Sequence, residues 1–160
     1  MPAFPAPAPA FPAATDVLVV GGGIVGLSAA LFLAGHGVRP LLVEKHADLL
    51  SHPRARGFLP RTVEAYRQLG LEPAIREAAF ASGERGWAGV VGDTLAGELM
   101  PVPEPVAGGM DGLSPAPFAP IDQDALERLV RARAVELGAD VRYDAELVAL
   151  EEGSDGVLAT

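Results

Sequence analysis

The sequence contains no cysteine, which excludes a disulfide framework and a thiolate-held metal and suits a reducing compartment. Lys45 is its one lysine beside eleven arginines, and twelve basic residues against twenty-one acidic ones leave a formal net charge of −9. No stretch gathers enough cations to make a groove for a phosphate backbone, so no nucleic-acid partner is expected. Long apolar runs are also missing. Val17 to Val20 and Ile24 to Leu33 are interrupted by glycine and fall short of the roughly 20 residues a bilayer-crossing helix needs. The expectation is a soluble, cytoplasmic protein with no membrane partner. His36, His46 and His52 stand at no metal-ligand spacing with an acid pair, so no metal site is expected.

What is present is globular composition: 49% apolar and 21% charged residues over 160 positions, the size of one domain. Residues 1–14 alternate proline with alanine and phenylalanine and have no basic start, so they read as a Pro/Ala-rich tail rather than a secretory signal or a helix. The domain proper is assigned to residues 15–160.

From Asp16 the pattern becomes regular. Val17 to Val20 is a continuous apolar run that predicts a strand buried on both faces of a parallel sheet. Ile24 to His36 reads as a helix closed by Gly35 and Gly37, and Pro40 to Glu44 as a second buried strand ending in an acid, which completes a βαβ unit. Ala47 to Leu59 reads as loop. Helices follow from Pro60, with Val63, Tyr66 and Leu69 on one face, and from Pro73 to about Phe80. Trp87 to Val91 and Leu95 to Met100 are expected to form a hairpin around Gly92-Asp93, and the proline-rich stretch from Pro101 to Pro120 an extended surface connection. Asp122 is placed to cap a helix from Gln123 to Leu137 whose buried stripe is Leu126, Leu129, Val130 and Leu137. Strands are expected at Asp140 to Asp144 and Glu146 to Leu150, followed by a turn at Gly153 to Gly156. The acids Asp122, Asp124 and Glu127 read as helix N-terminal charges, and Trp87 as packing rather than a stacking platform.

The residues that point to chemistry are Gly21-x-Gly23-x-x-Gly26-x-x-x-Ala30 and Glu44. Gly21 permits the tight turn out of the strand, Gly23 lets the backbone approach a pyrophosphate, and Gly26 with Ala30 lets the helix lie close on the sheet. The helix then begins with unpaired N–H groups and the positive end of its dipole aimed at the phosphates. Glu44, at the end of the second strand, stands where a carboxylate accepts hydrogen bonds from an adenosine ribose, and it disfavours a 2′-phosphate there. FAD or NAD is therefore expected at this site rather than NADP. A bare glycine-rich turn is the competing reading, but here the strand, helix, small residue and acid all fall at the required places.

The layout resembles the FAD-dependent aromatic hydroxylases, flavoprotein monooxygenases of the p-hydroxybenzoate hydroxylase type, and within them the aromatic-polyketide and phenol hydroxylases. The resemblance is carried by Asp16 to Leu27, Val43-Glu44-Lys45, His52-Pro53-Arg54-Ala55-Arg56-Gly57 with Pro60 to Glu64, and Ile121 to Glu127. It implies an α/β fold: a Rossmann-like parallel-sheet FAD-binding domain with an inserted helical and hairpin excursion, cut short at its C-terminal side. It further implies that Gly21, Gly23 and Gly26 hold the pyrophosphate, Glu44 the adenosine ribose, Arg54 or Arg56 part of the diphosphate charge, Gln123 the ribityl chain and the Leu147 backbone the adenine. In the full-length family NADPH or NADH reduces the flavin, and oxygen from O2 is delivered to an aromatic substrate. The catalytic residues are not assigned. The sequence is thus expected to be the FAD-binding portion of such an enzyme, either truncated or completed by a complementary C-terminal chain. A stand-alone ADP- or dinucleotide-binding module and an inactive truncated remnant are the alternatives.

Overall fold

The computed structural model of the chain describes residues 11–49, 55–81, 90–94, 96–98, 100–101 and 113–160. β1 (Leu18–Val20) runs into α1 (Ile24–Gly35) and returns as β2 (Leu41–Val43). An excursion follows through α2 (Pro60–Arg67), α3 (Glu72–Ala81) and the short strands β3 (Val90–Val91) and β4 (Met100–Pro101). α4 (Gln123–Glu136) then leads back to β5 (Asp140–Arg142), and the hairpin β6 (Leu150–Gly153) and β7 (Gly156–Ala159) comes last. The main sheet is parallel, in the order β1-β2-β5, with Leu18 opposite Leu41 and Leu41 opposite Asp140. This is the expected α/β arrangement: a Rossmann-like parallel sheet whose excursion leaves after β2 and rejoins at β5.

Strand position explains the burial of the apolar runs. Leu41, Leu42 and Val43 lie between two neighbours and are all buried, as expected for a strand covered on both faces. β1 has the same kind of sequence, yet Leu18 and Val19 are half-buried and Val20 is 55% exposed. The expectation of burial on both faces is therefore not met at β1, which among the described residues is an edge strand of this sheet.

α1 and α4 form the main helical contact. α1 buries Leu27, Ala30, Leu31 and Ala34, and α4 buries Leu126, Glu127, Val130 and Ala134. Both stripes follow the three-and-four spacing of one helix face, and their alanines let the backbones approach. Leu129 and Leu137, expected in the stripe, are partly buried at its margin. Tyr66 ties α2 to α1: its ring stacks on Phe32 with centroids 6.1 Å apart. Its hydroxyl lies 2.6 Å from Ser28 Oγ, and Ser28 in turn donates to the Ile24 carbonyl. Burial pushes the Tyr66 phenol above its ordinary value, so it remains a donor.

Several expectations need correction. Asp122 does occupy the N-cap position of α4 but makes no side-chain capping bond; its carboxylate accepts instead from Arg56 at 3.1 Å. The first hairpin exists, pairing Val90 with Pro101 and Val91 with Met100, so its connection is longer than a turn at Gly92-Asp93. Trp87, Leu95 and residues 102–112 lie outside the described residues. The segment Glu146 to Ala149 is irregular and the strand begins at Leu150, four residues later than expected, because pairing with β7 is fixed by the turn between Gly153 and Gly156. Among the described residues no helix is long and apolar enough to cross a membrane.

Leu42 is fully buried at the centre of the sheet. Leu42→Ala should cost about 2–5 kcal/mol, read as a lower denaturant midpoint with an unchanged slope in urea unfolding. A change below about 1 kcal/mol would show that the sheet is not the stable centre assigned here.

Candidate functional site

The turn between β1 and α1 is shaped by three distinct demands on glycine. Gly21 sits at φ +105°, a conformation costly for any residue with a Cβ, and its N–H donates to the Val43 carbonyl at 2.8 Å. At Gly26 a Cβ would run into the Gly21 carbonyl oxygen, and at Gly22 it would lie 2.8 Å from the Glu44 Cβ. Gly23 is different. Its φ of −78° is ordinary, and the nearest atom to a Cβ there would be Glu127 Oε1 at 4.0 Å. The protein's own packing gives no reason for glycine at this position.

Gly23 is also the N-cap of α1, which has neither a side-chain capping bond nor an acid in its first turn. The N–H groups of that turn thus retain their capacity to bind an anion, reinforced by the helix dipole. A glycine that neither φ nor packing demands, at a helix end without a side-chain cap, leaves room for a ligand to come close. These residues fit the diphosphate of a dinucleotide.

Glu44, one residue beyond β2, closes the other side of the turn. Its Oε2 accepts from the Gly22 N–H at 2.6 Å, and its Oε1 accepts from the His46 N–H at 2.9 Å and lies 2.5 Å from His46 Nδ1. Burial by itself would raise the Glu44 pKa; the bonds from Gly22 and His46 outweigh it and hold the carboxyl below its usual value. A carboxylate offers about four acceptor positions, so three bonds leave capacity for a sugar hydroxyl. His46, 56% exposed along its side chain, is free to give up its place.

The remaining sequence-predicted residues divide. Gln123 and Ala55 are locked together: the Gln123 N–H donates to the Ala55 carbonyl at 2.9 Å, and the Ala55 N–H donates to Gln123 Oε1 at 3.2 Å. Gln123 Nε2 donates to Glu127 Oε1 at 2.8 Å, which leaves one amide hydrogen for another acceptor. Arg56 is largely exposed and bonded to Asp122. Arg54, with His52 and Pro53, lies outside the described residues. Leu147 is half-buried in the irregular segment before β6 and not in a strand.

Two residues escaped the sequence reading. Glu127, which by sequence reads as a helix-terminal charge, is 2% exposed and has no cation partner among the described residues; its spacing of three from Val130 and seven from Ala134 is the signal that places it in the buried stripe. Tyr143, the residue after β5, has a buried hydroxyl without a hydrogen-bond partner among the described residues. No pattern in the sequence marks it. Among the described residues no group of three or more metal-ligating side chains occurs.

A family model described as FAD binding domain matches residues 14–160. The chain is 41% identical over 142 residues to 4-methyl-5-nitrocatechol 5-monooxygenase of Burkholderia sp, a match covering 88% of the chain and 26% of that protein. It is 40% identical over 149 residues to aklavinone 12-hydroxylase DnrF of Streptomyces peucetius subsp. caesius, covering 90% of the chain and 30% of the relative. Among solved structures, a ternary complex of aklavinone-11 hydroxylase with FAD and aklavinone superposes with a TM-score of 0.76 at 33% identity, covering 91% of the chain and 29% of that protein. The flavin-dependent monooxygenase PieE, in complex with FAD and substrate, gives a TM-score of 0.73 at 31% identity, covering 91% and 26%. The chain thus spans between a quarter and a third of the length of these relatives.

The glycines make separable predictions. Gly26→Ala should destabilise the fold by about 3 kcal/mol, the upper end for overpacking, whereas Gly23→Ala should cost under about 1 kcal/mol, the difference between glycine and alanine at an N-cap. Paired melting curves check both, and equal destabilisation would remove the argument that Gly23 is reserved for a ligand. For Glu44 the lowered pKa sets the sign. The stability it contributes is fully present above its ordinary value of 4.5 and is lost as pH falls through the lowered value. Glu44→Gln should therefore flatten the acid limb of a melting-temperature profile below pH 4.5, with little change in slope at neutral pH.

Proposed function

The chain belongs to the FAD binding domain family, and on that premise we propose that it forms the FAD-binding portion of an NAD(P)H-dependent flavoprotein monooxygenase acting on an aromatic substrate. The observation that carries the reading is Gly23: a glycine that neither its φ nor its packing demands, at the uncapped start of α1, opposite a carboxylate at the end of the next parallel strand. The names of the relatives support the substrate class, since a nitrocatechol monooxygenase and an aklavinone hydroxylase both act on aromatic rings. Phenols and aromatic polyketides are the substrates to test first.

In this reading the N–H groups of the first turn of α1 bind the diphosphate, and Gly23 allows it within hydrogen-bonding reach. Glu44 orients the adenosine by accepting from its ribose and keeps Gly22 in place with the same carboxylate. Gln123 fixes the segment around Ala55 to the start of α4 and keeps one amide hydrogen for the ribityl chain, while the backbone around Leu147 faces the adenine. When bound, the flavin supplies the redox chemistry of hydroxylation. The aromatic ring is enclosed by protein beyond the span of this chain, in the portion that the relatives have in addition.

A second reading has its own observation. The three glycines and Glu44 cluster at the β1–α1 turn and the end of β2, the part of the site that the reading assigns to the ADP half of FAD. A module that grips only that half would bind ADP as tightly as FAD.

Titration of the chain with FAD, followed by flavin fluorescence and by thermal shift, tests the proposal. A concentration 100-fold above Kd should stabilise the fold by about 2.7 kcal/mol, with FAD binding more tightly than ADP. Equal affinities favour the ADP module, and a protein indifferent to both overturns the dinucleotide site. Gly23→Val should abolish binding by placing a branched side chain where the diphosphate lies.

A further inference from the structure

We propose that the Tyr143 hydroxyl is a further ligand-binding group at the glycine turn, donating a hydrogen bond to an oxygen of the ADP half of the bound dinucleotide. The inference rests on the dinucleotide reading above and adds to it a residue that neither the glycine motif nor the resemblance includes.

Tyr143 follows β5, the strand that pairs with β2 on the side away from β1. This places it at the same end of the sheet as Glu44, whose N–H donates to the Arg142 carbonyl at 2.8 Å. The hydroxyl reaches from there to the turn itself, since a Cβ on Gly22 would lie 3.3 Å from the Tyr143 oxygen. The ring is held in place from its face: the Arg131 guanidinium lies 4.3 Å from its centroid and is paired with Asp48 at 3.4 Å. A buried hydroxyl held this firmly ordinarily has a partner, and this one has none among the described residues.

The hydroxyl acts as a donor throughout the physiological range. Burial raises the phenol pKa, the charges of Asp48, Glu127 and Glu44 raise it further, and Arg131 opposes them. What the group lacks is an acceptor, and the oxygens of a phosphate or of an adenosine ribose, brought to this turn by α1 and Glu44, are acceptors.

Tyr143→Phe removes the oxygen and leaves the ring and its Arg131 contact. Without ligand, the variant should melt at the same temperature as the parent or higher, because no internal bond is lost. Its affinity for FAD and for ADP should fall by the same factor, about 3- to 10-fold, the range of one neutral hydrogen bond. A lower melting temperature without ligand would show that the hydroxyl has an internal partner and overturn the inference. So would unchanged affinity for both nucleotides, or a loss confined to FAD, which would put the contact on the flavin half. A parent chain that binds neither nucleotide would overturn the dinucleotide reading itself and this inference with it. Binding by the parent together with an indifferent Tyr143→Phe would overturn the inference alone.

Discussion

Between Gly21 and Gly26 the chain doubles back so closely that the carbonyl oxygen of the first fills the space a side chain on the second would need. The approach sets where α1 starts relative to the sheet, and much else follows from it. The helix axis lies over β1 and β2, so the unpaired N–H groups of its first turn emerge at the end of the parallel strands. Gly22 is thereby brought against Glu44 and donates to it at 2.6 Å. A Cβ at either Gly22 or Gly26 would push the helix start outward, and the uncapped end would no longer sit beside the carboxylate.

The charges around the turn are arranged unlike those of a cationic phosphate site. Glu44 stands on one side, and Glu127 is buried close to Gly23. Arg56, the described member of the expected arginine pair, is engaged with Asp122. Among the described residues, compensation of a diphosphate would fall chiefly to main-chain amides and the dipole of α1, which act over short distances. This division of labour accommodates the overall charge of −9: an acidic protein can bind an anion where fixed dipoles converge, though it gains no long-range attraction for it.

The legibility of the fold varied with the range of the forces that make it. The βαβ unit was readable because its determinants are local: a β-branched run, three glycines, a helical period and an acid after the next strand. α2, α3 and α4 were readable within one or two residues for the same reason. What failed depends on partners distant in sequence. Val20 carries the composition of a buried strand, yet among the described residues β1 has β2 as its one neighbour and Val20 is exposed. Leu147 lies in the expected strand Glu146 to Leu150, but the turn at Gly153 to Gly156 sets the register of the hairpin so that the strand begins at Leu150. Asp122 had the right identity and position for a cap, and Arg56, far away in the chain, drew its carboxylate elsewhere. Glu127 was legible in its helical spacing and was overlooked because an acid on a buried face runs against the usual cost of burying charge. Tyr143 was beyond reach, because what distinguishes it is the absence of a partner in space.

Accounting for donors and acceptors at the site narrows what can fill it. Glu44 presents acceptor capacity beyond its bonds to Gly22 and His46, so it asks for a hydroxyl or amine. The first turn of α1 presents N–H donors without a side-chain cap, so it asks for an anion or a carbonyl. A free phosphate answers the second demand and not the first, and a bare nucleoside the first and not the second. A sugar bearing neighbouring hydroxyls and linked through its 5′ oxygen to phosphate answers both at once. The polarity of the parallel sheet, which brings these two chain ends to one edge, is what turns a tight turn of glycines into a site with direction. On the proposed reading the adenosine end lies at β2, and the rest of a dinucleotide then extends across the start of the helix.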